Sequence, residues 1–183
     1  MATGTLMTAS EFERIAARLG PCELVRGEVL ELSPGGLSHG GISANLAILL
    51  GNWARRTRRG RVFVNETGLI TEREPDTVRG GDVVYYSYRR LPKRKTPEGF
   101  SDVPPELVVE VVGKGQGWRQ MMTKAGEYFR MGVDRVWIID PKRRRLAVLH
   151  PDTEPDVLMG AAEVSDPEIL PGFSCSLADI FAL

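Results

Sequence analysis

The sequence predicts an α/β domain in which a mixed β-sheet is flanked by helices. Three observations carry this expectation. Apolar residues recur at helical spacing over 38–57 and again over 118–131. Dense β-branched runs fill 106–112 and 136–139. Helical and β-type segments alternate along the chain, as α/β architectures require.

Each element has its own signal. Ser10-Glu11-Phe12-Glu13 has the form of a capping box that opens a short helix closing at Gly20. Two short strands follow, Glu23 to Arg26 and Glu28 to Leu32, before Ser33-Pro34-Gly35-Gly36 breaks the chain. The first long helix runs from 38 to 57 with Ser38 as its cap, and Ile42, Leu46, Leu49, Leu50 and Trp53 form its apolar face. Val62-Phe63-Val64 and Asp82-Val83-Val84-Tyr85-Tyr86 are β-type. Glu106 to Val112 is the candidate central strand. A second helix, from Trp118 to Met131, is ended by Gly132. Val136 to Ile139 is a buried strand stopped by Asp140-Pro141, and Leu146 to Leu149 makes a hairpin with it. Leu170-Pro171-Gly172-Phe173 and a short helix close the chain. The proline-containing basic segment from Ser87 to Pro105 has the length of a functional or mobile loop.

With 183 residues, 42% hydrophobic and 26% charged, the chain suits one domain over 1–183. No apolar run reaches the roughly 18 residues of a membrane span, and the N-terminus lacks the pattern of a signal peptide. Cys22 and Cys175 lie far apart with no metal or redox spacing, so a reduced, cytoplasmic protein is expected. The net charge of zero argues against a protein held to nucleic acid by bulk charge alone. Local clusters remain at Arg55 to Arg61, at Arg89 to Lys95 and at Lys142 to Arg145. Each either rests against phosphates or forms a solvated loop or helix end.

The chemistry centres on Glu110. Side chains alternate along a strand, so Glu106, Val108, Glu110 and Val112 share one face. A carboxylate among valines is costly to bury without a cation, a partner or water. Asp82 poses the same problem at the start of its own strand. Two carboxylates from neighbouring strands can converge on one divalent cation, for which hard oxygen ligands are appropriate. Either residue alone reads equally as a cap or a salt-bridge member. Lys124 projects within the arc of Met121, Met122, Ala125, Tyr128 and Phe129, opposite Arg119, Thr123, Glu127 and Arg130. It either forms a structural ion pair or reaches the carboxylate pair to orient water and stabilise negative charge. His39 shares the face of Ile42, Leu46 and Trp53 and is either a packing residue or part of the site. Glu28 and Glu31 carry less weight, since strand-edge glutamates are common.

Several stretches together resemble the Uma-type putative restriction endonuclease family of the PD-(D/E)XK nuclease superfamily. They are Glu23 to Glu28, Ser38-His39, Arg79-Gly80-Gly81-Asp82-Val83, Pro105 to Val111, Lys124 to Tyr128, Gly132-Val133, Val136 to Pro141 and Leu170 to Phe173. The resemblance runs from about residue 10 to 182, in order and spacing. It implies a restriction-endonuclease-like core with Asp82 and Glu110 as metal ligands. The superfamily lysine would fall at Val112, and the resemblance moves it to Lys124, with Lys114 as a fallback. Two departures stand out. Gly81 replaces the usual proline before the aspartate, and Gly113-Lys114 replaces Ser-Pro after the glutamate strand.

The expected function is metal-dependent endonucleolytic cleavage of nucleic acid, DNA first, with Mg²⁺ or Mn²⁺ on Asp82, Glu110 and the Val111 carbonyl. Lys124 and His39 complete the candidate catalytic set, and the basic segments near Arg55 and Arg89 to Lys95 would hold the phosphate backbone. A homodimer would suit the cutting of two strands. The rival readings are a non-catalytic nucleic-acid-binding or protein-interaction module on the same fold, and a hydrolase of a small phosphoester.

Overall fold

The computed structural model describes residues 6–183; residues 1–5 of the expected domain lie outside the described residues. The chain opens with α1 (Ala9–Leu19), β1 (Cys22–Val25), β2 (Glu28–Glu31) and α2 (Leu37–Thr57). Two long strands follow, β3 (Gly60–Glu72) and β4 (Thr77–Ser87), then β5 (Leu107–Val111), α3 (Trp118–Met131), β6 (Arg135–Asp140) and β7 (Arg145–Leu149). The chain closes with β8 (Asp156–Met159), β9 (Glu163–Ser165), β10 (Ser174–Ser176) and α4 (Leu177–Ile180).

Eight strands form one mixed sheet in the order β2-β1-β4-β5-β6-β7-β8, with β3 paired to β4 off this path; β9 and β10 form a separate pair. β5 and β6 run parallel, and the other named pairs are antiparallel. Parallel neighbours need a crossover, and α3 supplies it. The alternation expected for β5 holds. Leu107, Val109 and Val111 pack with Ile42, Leu46, Leu50 and Trp53 of α2. Val108 packs on the other face with Met121, Ala125 and Tyr128 of α3. The sheet is therefore covered on both sides, which is why β5 and β6 are buried along their whole length.

Three expectations are corrected. The first helix is capped by Thr8, not Ser10: the Thr8 hydroxyl accepts from Glu11 N while Glu11 accepts from Thr8 N. The N-cap of α2 is Gly36 without a side-chain bond, so Ser38 lies inside the helix. β3 extends far beyond Val62 to Val64, because Asn65-Glu66-Thr67-Gly68, turn-like in composition, is a bulge within one strand. Gly132 ends α3 as expected, in the left-handed conformation, with its N–H donating to Phe129 O and that of Val133 to Tyr128 O.

The 87–105 segment is pinned at several points. The Arg61 guanidinium donates to Lys95 O and Thr96 Oγ1, and Tyr86 Oη donates to Val103 O. Arg90 donates to Pro105 O, Gly132 O and Asp134.

Candidate active site

Asp82 and Glu110 occupy adjacent antiparallel strands. Val84 pairs with Val108, and both lie on the sheet face covered by α3. Side chains two residues on keep that face, so Asp82 and Glu110 converge at one end of the sheet. Asp82 Oδ2 accepts from Val111 N at 2.7 Å, tying the carboxylate to the end of β5. His39, in the first turn of α2, places Nε2 3.3 Å from the same oxygen. That contact raises the His39 pKa against the opposing effect of partial burial.

Glu110 is buried with two donors. Lys124 Nζ lies 2.9 Å from Oε2, and Tyr128 Oη donates to Oε1 at 2.5 Å. Desolvation pushes Glu110 up to about 7; Lys124 opposes the shift, and Asp82 adds to it. Lys124 and Tyr128 are one helical turn apart, so α3 presents both to the same carboxylate.

Two further carboxylates belong to the cluster. Glu23 of β1 accepts from Lys124 Nζ at 3.0 Å, from Arg79 at 2.8 Å and from Gly80 N at 3.0 Å. Burial would raise its pKa, but Lys124 and Arg79 hold it below the usual value. Arg79 also grips Glu127 with two bonds, at 2.5 and 2.8 Å. Glu127 is thus turned inward, contrary to the polar arc assigned to it, because buried Arg79 reaches the side of α3. Glu66 lines the same cleft from the β3 bulge, where Asn65 and Glu66 both adopt positive φ, 68° and 53°. Its pKa is raised by partial desolvation, then by Asp82 and Glu23.

Glu23, His39, Glu66, Asp82, Glu110 and Lys124 line a cleft of about 440 Å³, together with Ser33 to Gly36 and Gly113 to Gln116. Lys114, in the latter segment, is exposed. The two departures from the family pattern have local reasons. A Cβ at Gly81 would lie 2.7 Å from Val84 Cγ2. Gly113 N donates to Gln116 Oε1 at 2.8 Å, which closes the turn without proline. Glu28 and Glu31 are exposed on β2; Glu31 lines the outer cleft, whereas Glu28 lines another hollow.

Among the described residues no group of three or more His, Cys, Asp or Glu side chains forms a ready-made metal cluster. Of the oxygen donors in the cleft, Asp82, Glu110 and the backbone at the end of β5 lie together at the strand ends, while Glu23 is taken up by Lys124, Arg79 and Gly80 N. In an extended strand the N–H and C=O of one residue face the same neighbour. The Val111 carbonyl therefore turns towards the Asp82 strand, as its N–H does.

Residues 9–178 match the family model Uma2, described as "Putative restriction endonuclease". The chain belongs to the Uma2 family. No curated protein matches it. Among solved structures, it is similar to a crystal structure from Anabaena variabilis described as a putative nuclease belonging to DUF820. The TM-score is 0.79 at 19% identity, over 96% of this chain and 97% of that one. That likeness establishes the shared fold; the Uma2 match extends over the cleft residues from Glu23 to Lys124.

Reading the sequence alone missed Glu23, Glu66 and Arg79. Glu23 had a signal of the kind that found Glu110, a glutamate among strand residues. Glu66 had none, because its strand looked broken there.

Proposed function

We propose that this Uma2-family chain is a metal-dependent endonuclease that hydrolyses phosphodiester bonds, with DNA as its substrate. The convergence of Asp82 and Glu110 in one cleft, backed by Lys124, carries the reading. The donor set fits a hard divalent cation such as Mg²⁺ or Mn²⁺. Glu23, Glu66, Asp82 and Glu110 share the cleft with Lys124, and the pKa of Glu110, raised first by desolvation and then by Asp82, marks a buried carboxylate that a cation would hold ionised. Asp82, Glu110 and the Val111 carbonyl would hold the ion. When bound, it supplies a water of lowered pKa and polarises the scissile phosphate.

The chain's own groups do the rest. Val111 N–H fixes Asp82, and Tyr128 fixes Glu110. Lys124 brings positive charge to the cleft, where it neutralises charge developing on the phosphate. His39, held against Asp82, offers a proton-bearing ring at the entrance. A homodimer would bring two such clefts to the two strands of a duplex, and the two free cysteines suit a reducing cytoplasm. Among the described residues no helix is long and apolar enough to cross a membrane.

One observation favours a second reading. Lys124 is clamped between Glu110 and Glu23, as a structural ion cluster in a non-catalytic module would be. Metal titration by calorimetry separates the two. The nuclease reading expects Mn²⁺ to bind the wild type and to lose its site in Glu110→Ala; no binding to either would leave the ion-cluster reading.

A further inference from the structure

The three basic clusters are not equivalent in space. His39 and Arg55 stand sixteen residues apart on α2, which at 1.5 Å per residue is about 24 Å. That is more than twice the screening length of about 10 Å at 0.1 M salt. Arg59 and Arg89 line a hollow with Ser87 and Glu106, at the opposite end of β5 from Glu110. Arg61 and Arg90 are occupied by backbone carbonyls. Arg55, Arg59 and Arg89 thus stand away from the cleft, which leaves the third basic cluster as the one beside it.

The third cluster lies beside the cleft for a topological reason. β5 and β6 are parallel and paired Val111 to Ile139, so both strands end on the same side. The turn after β6 then emerges about 5 Å, one strand spacing, from the strand that carries Glu110. Lys114, Trp118, Lys142, Arg143 and Arg145 line a groove of about 550 Å³ there, and the segment from Gly113 to Gln116 lines both groove and cleft. Asp140 is the one acid on the lining: it accepts from Arg143 N at 3.1 Å, and the Arg143 and Arg145 guanidinium groups lie 3.0 and 3.4 Å from its Oδ2, which leaves Lys114 and Lys142 as the exposed cations without it. Four cations against one carboxylate leave the groove with a net positive lining. Arg145 also covers the Trp118 ring at 4.9 Å. Arg144 adopts a left-handed conformation, φ 47°, and turns away over Phe181. The tight turn thus sorts the run, sending Lys142, Arg143 and Arg145 to the groove.

We infer that this groove is the track on which the phosphodiester backbone of a nucleic-acid duplex lies as it enters the cleft. The inference rests on the nuclease reading for its direction but is measured separately from it. Lys114 and Lys142 are exposed and are the variants that test it.

The experiment is fluorescence anisotropy of a labelled DNA duplex with the full chain in chelator, across a salt series. Lys114→Glu/Lys142→Glu is compared with Arg55→Glu/Arg56→Glu, and all three proteins are checked for equal melting temperature. Each phosphate contact contributes about −0.9 to the salt slope, so the groove variant should lose about 2 from the slope and at least about tenfold in affinity. The Arg55/Arg56 variant should stay within about twofold of wild type. Equal effects, a larger effect at Arg55/Arg56, or no duplex binding by the wild type would overturn the track. Cleavage by the wild type in Mn²⁺ is measured in parallel. Groove-dependent binding without cleavage defeats the nuclease reading alone, and cleavage with groove-independent binding defeats the track alone.

Discussion

Lys124 Nζ sits 2.9 Å from Glu110 Oε2, and both side chains are less than a tenth exposed, 7% and 6%. On its other side the ammonium meets Glu23 Oε1 at 3.0 Å. The lysine is held charged: burial works against it, but the two carboxylates win and raise its pKa. Lys124→Met would leave two buried carboxylates without their shared cation. Breaking a buried pair from one side costs about 3–5 kcal/mol, so urea unfolding should show a midpoint lowered by that loss divided by the m-value. Glu23→Gln, which keeps the Lys124–Glu110 contact, should cost less.

The pH dependence of metal binding follows from Glu110, whose pKa is pushed up to about 7 by desolvation. A carboxylate must lose its proton to bind a metal. Mn²⁺ affinity measured by calorimetry should therefore rise from pH 6 to pH 8, with proton release, and flatten above. In the metal-free chain the folded state holds this proton above the ordinary value of 4.5. The group's contribution to stability is fully present below 4.5 and lost as pH rises through 7. An affinity independent of pH across this window would remove Glu110 from the ligand set.

Arg79 links β4 to both Glu23 and Glu127 in the interior. Arg79→Met should destabilise by about 3–5 kcal/mol, since buried Glu127 loses its guanidinium partner and buried Glu23 keeps only Lys124 as a cation. Arg130→Met, which removes a pair to Glu72 with the arginine 61% exposed, should change stability by less than about 1 kcal/mol. Thermal melts of the two variants side by side give the comparison.

Gly80 leaves room for the bulge that carries Glu66. A Cβ there would lie 2.9 Å from Glu66 Cβ and 3.3 Å from its Cα, neither of which swings away freely. Gly80→Ala should cost about 1–3 kcal/mol by overpacking. An unchanged melting temperature would mean that the bulge yields without cost.

The parts legible in the sequence were those with period and length. α2 and α3 announce themselves by apolar spacing, and β5 and β6 by β-branched runs closed by Gly or Asp-Pro. Asp82, Glu110 and Lys124 were legible because each breaks such a pattern. β8, β9 and β10 have three or four residues each and offer no period to read. Glu23, Arg79 and Glu127 form one network from segments up to about a hundred residues apart, a relation only tertiary pairing creates. The polar side assigned to Glu127 failed for that reason. Helical geometry alone cannot foresee an arginine arriving from another strand.

Plasmid DNA incubated with the purified chain in Mg²⁺, in Mn²⁺ and in chelator, beside Asp82→Ala, tests the central claim most directly. Asp82 is a proposed ion ligand held by Val111 N and His39, whereas Glu110 is buried against Lys124 and Tyr128, so loss of Asp82 should spare the fold more than loss of Glu110. The account predicts nicking or linearisation by the wild type in divalent metal, none in chelator, and a loss of at least about a hundredfold in Asp82→Ala. Cleavage by Asp82→Ala at the wild-type rate, or a folded wild type that binds Mn²⁺ and cuts nothing, would contradict it.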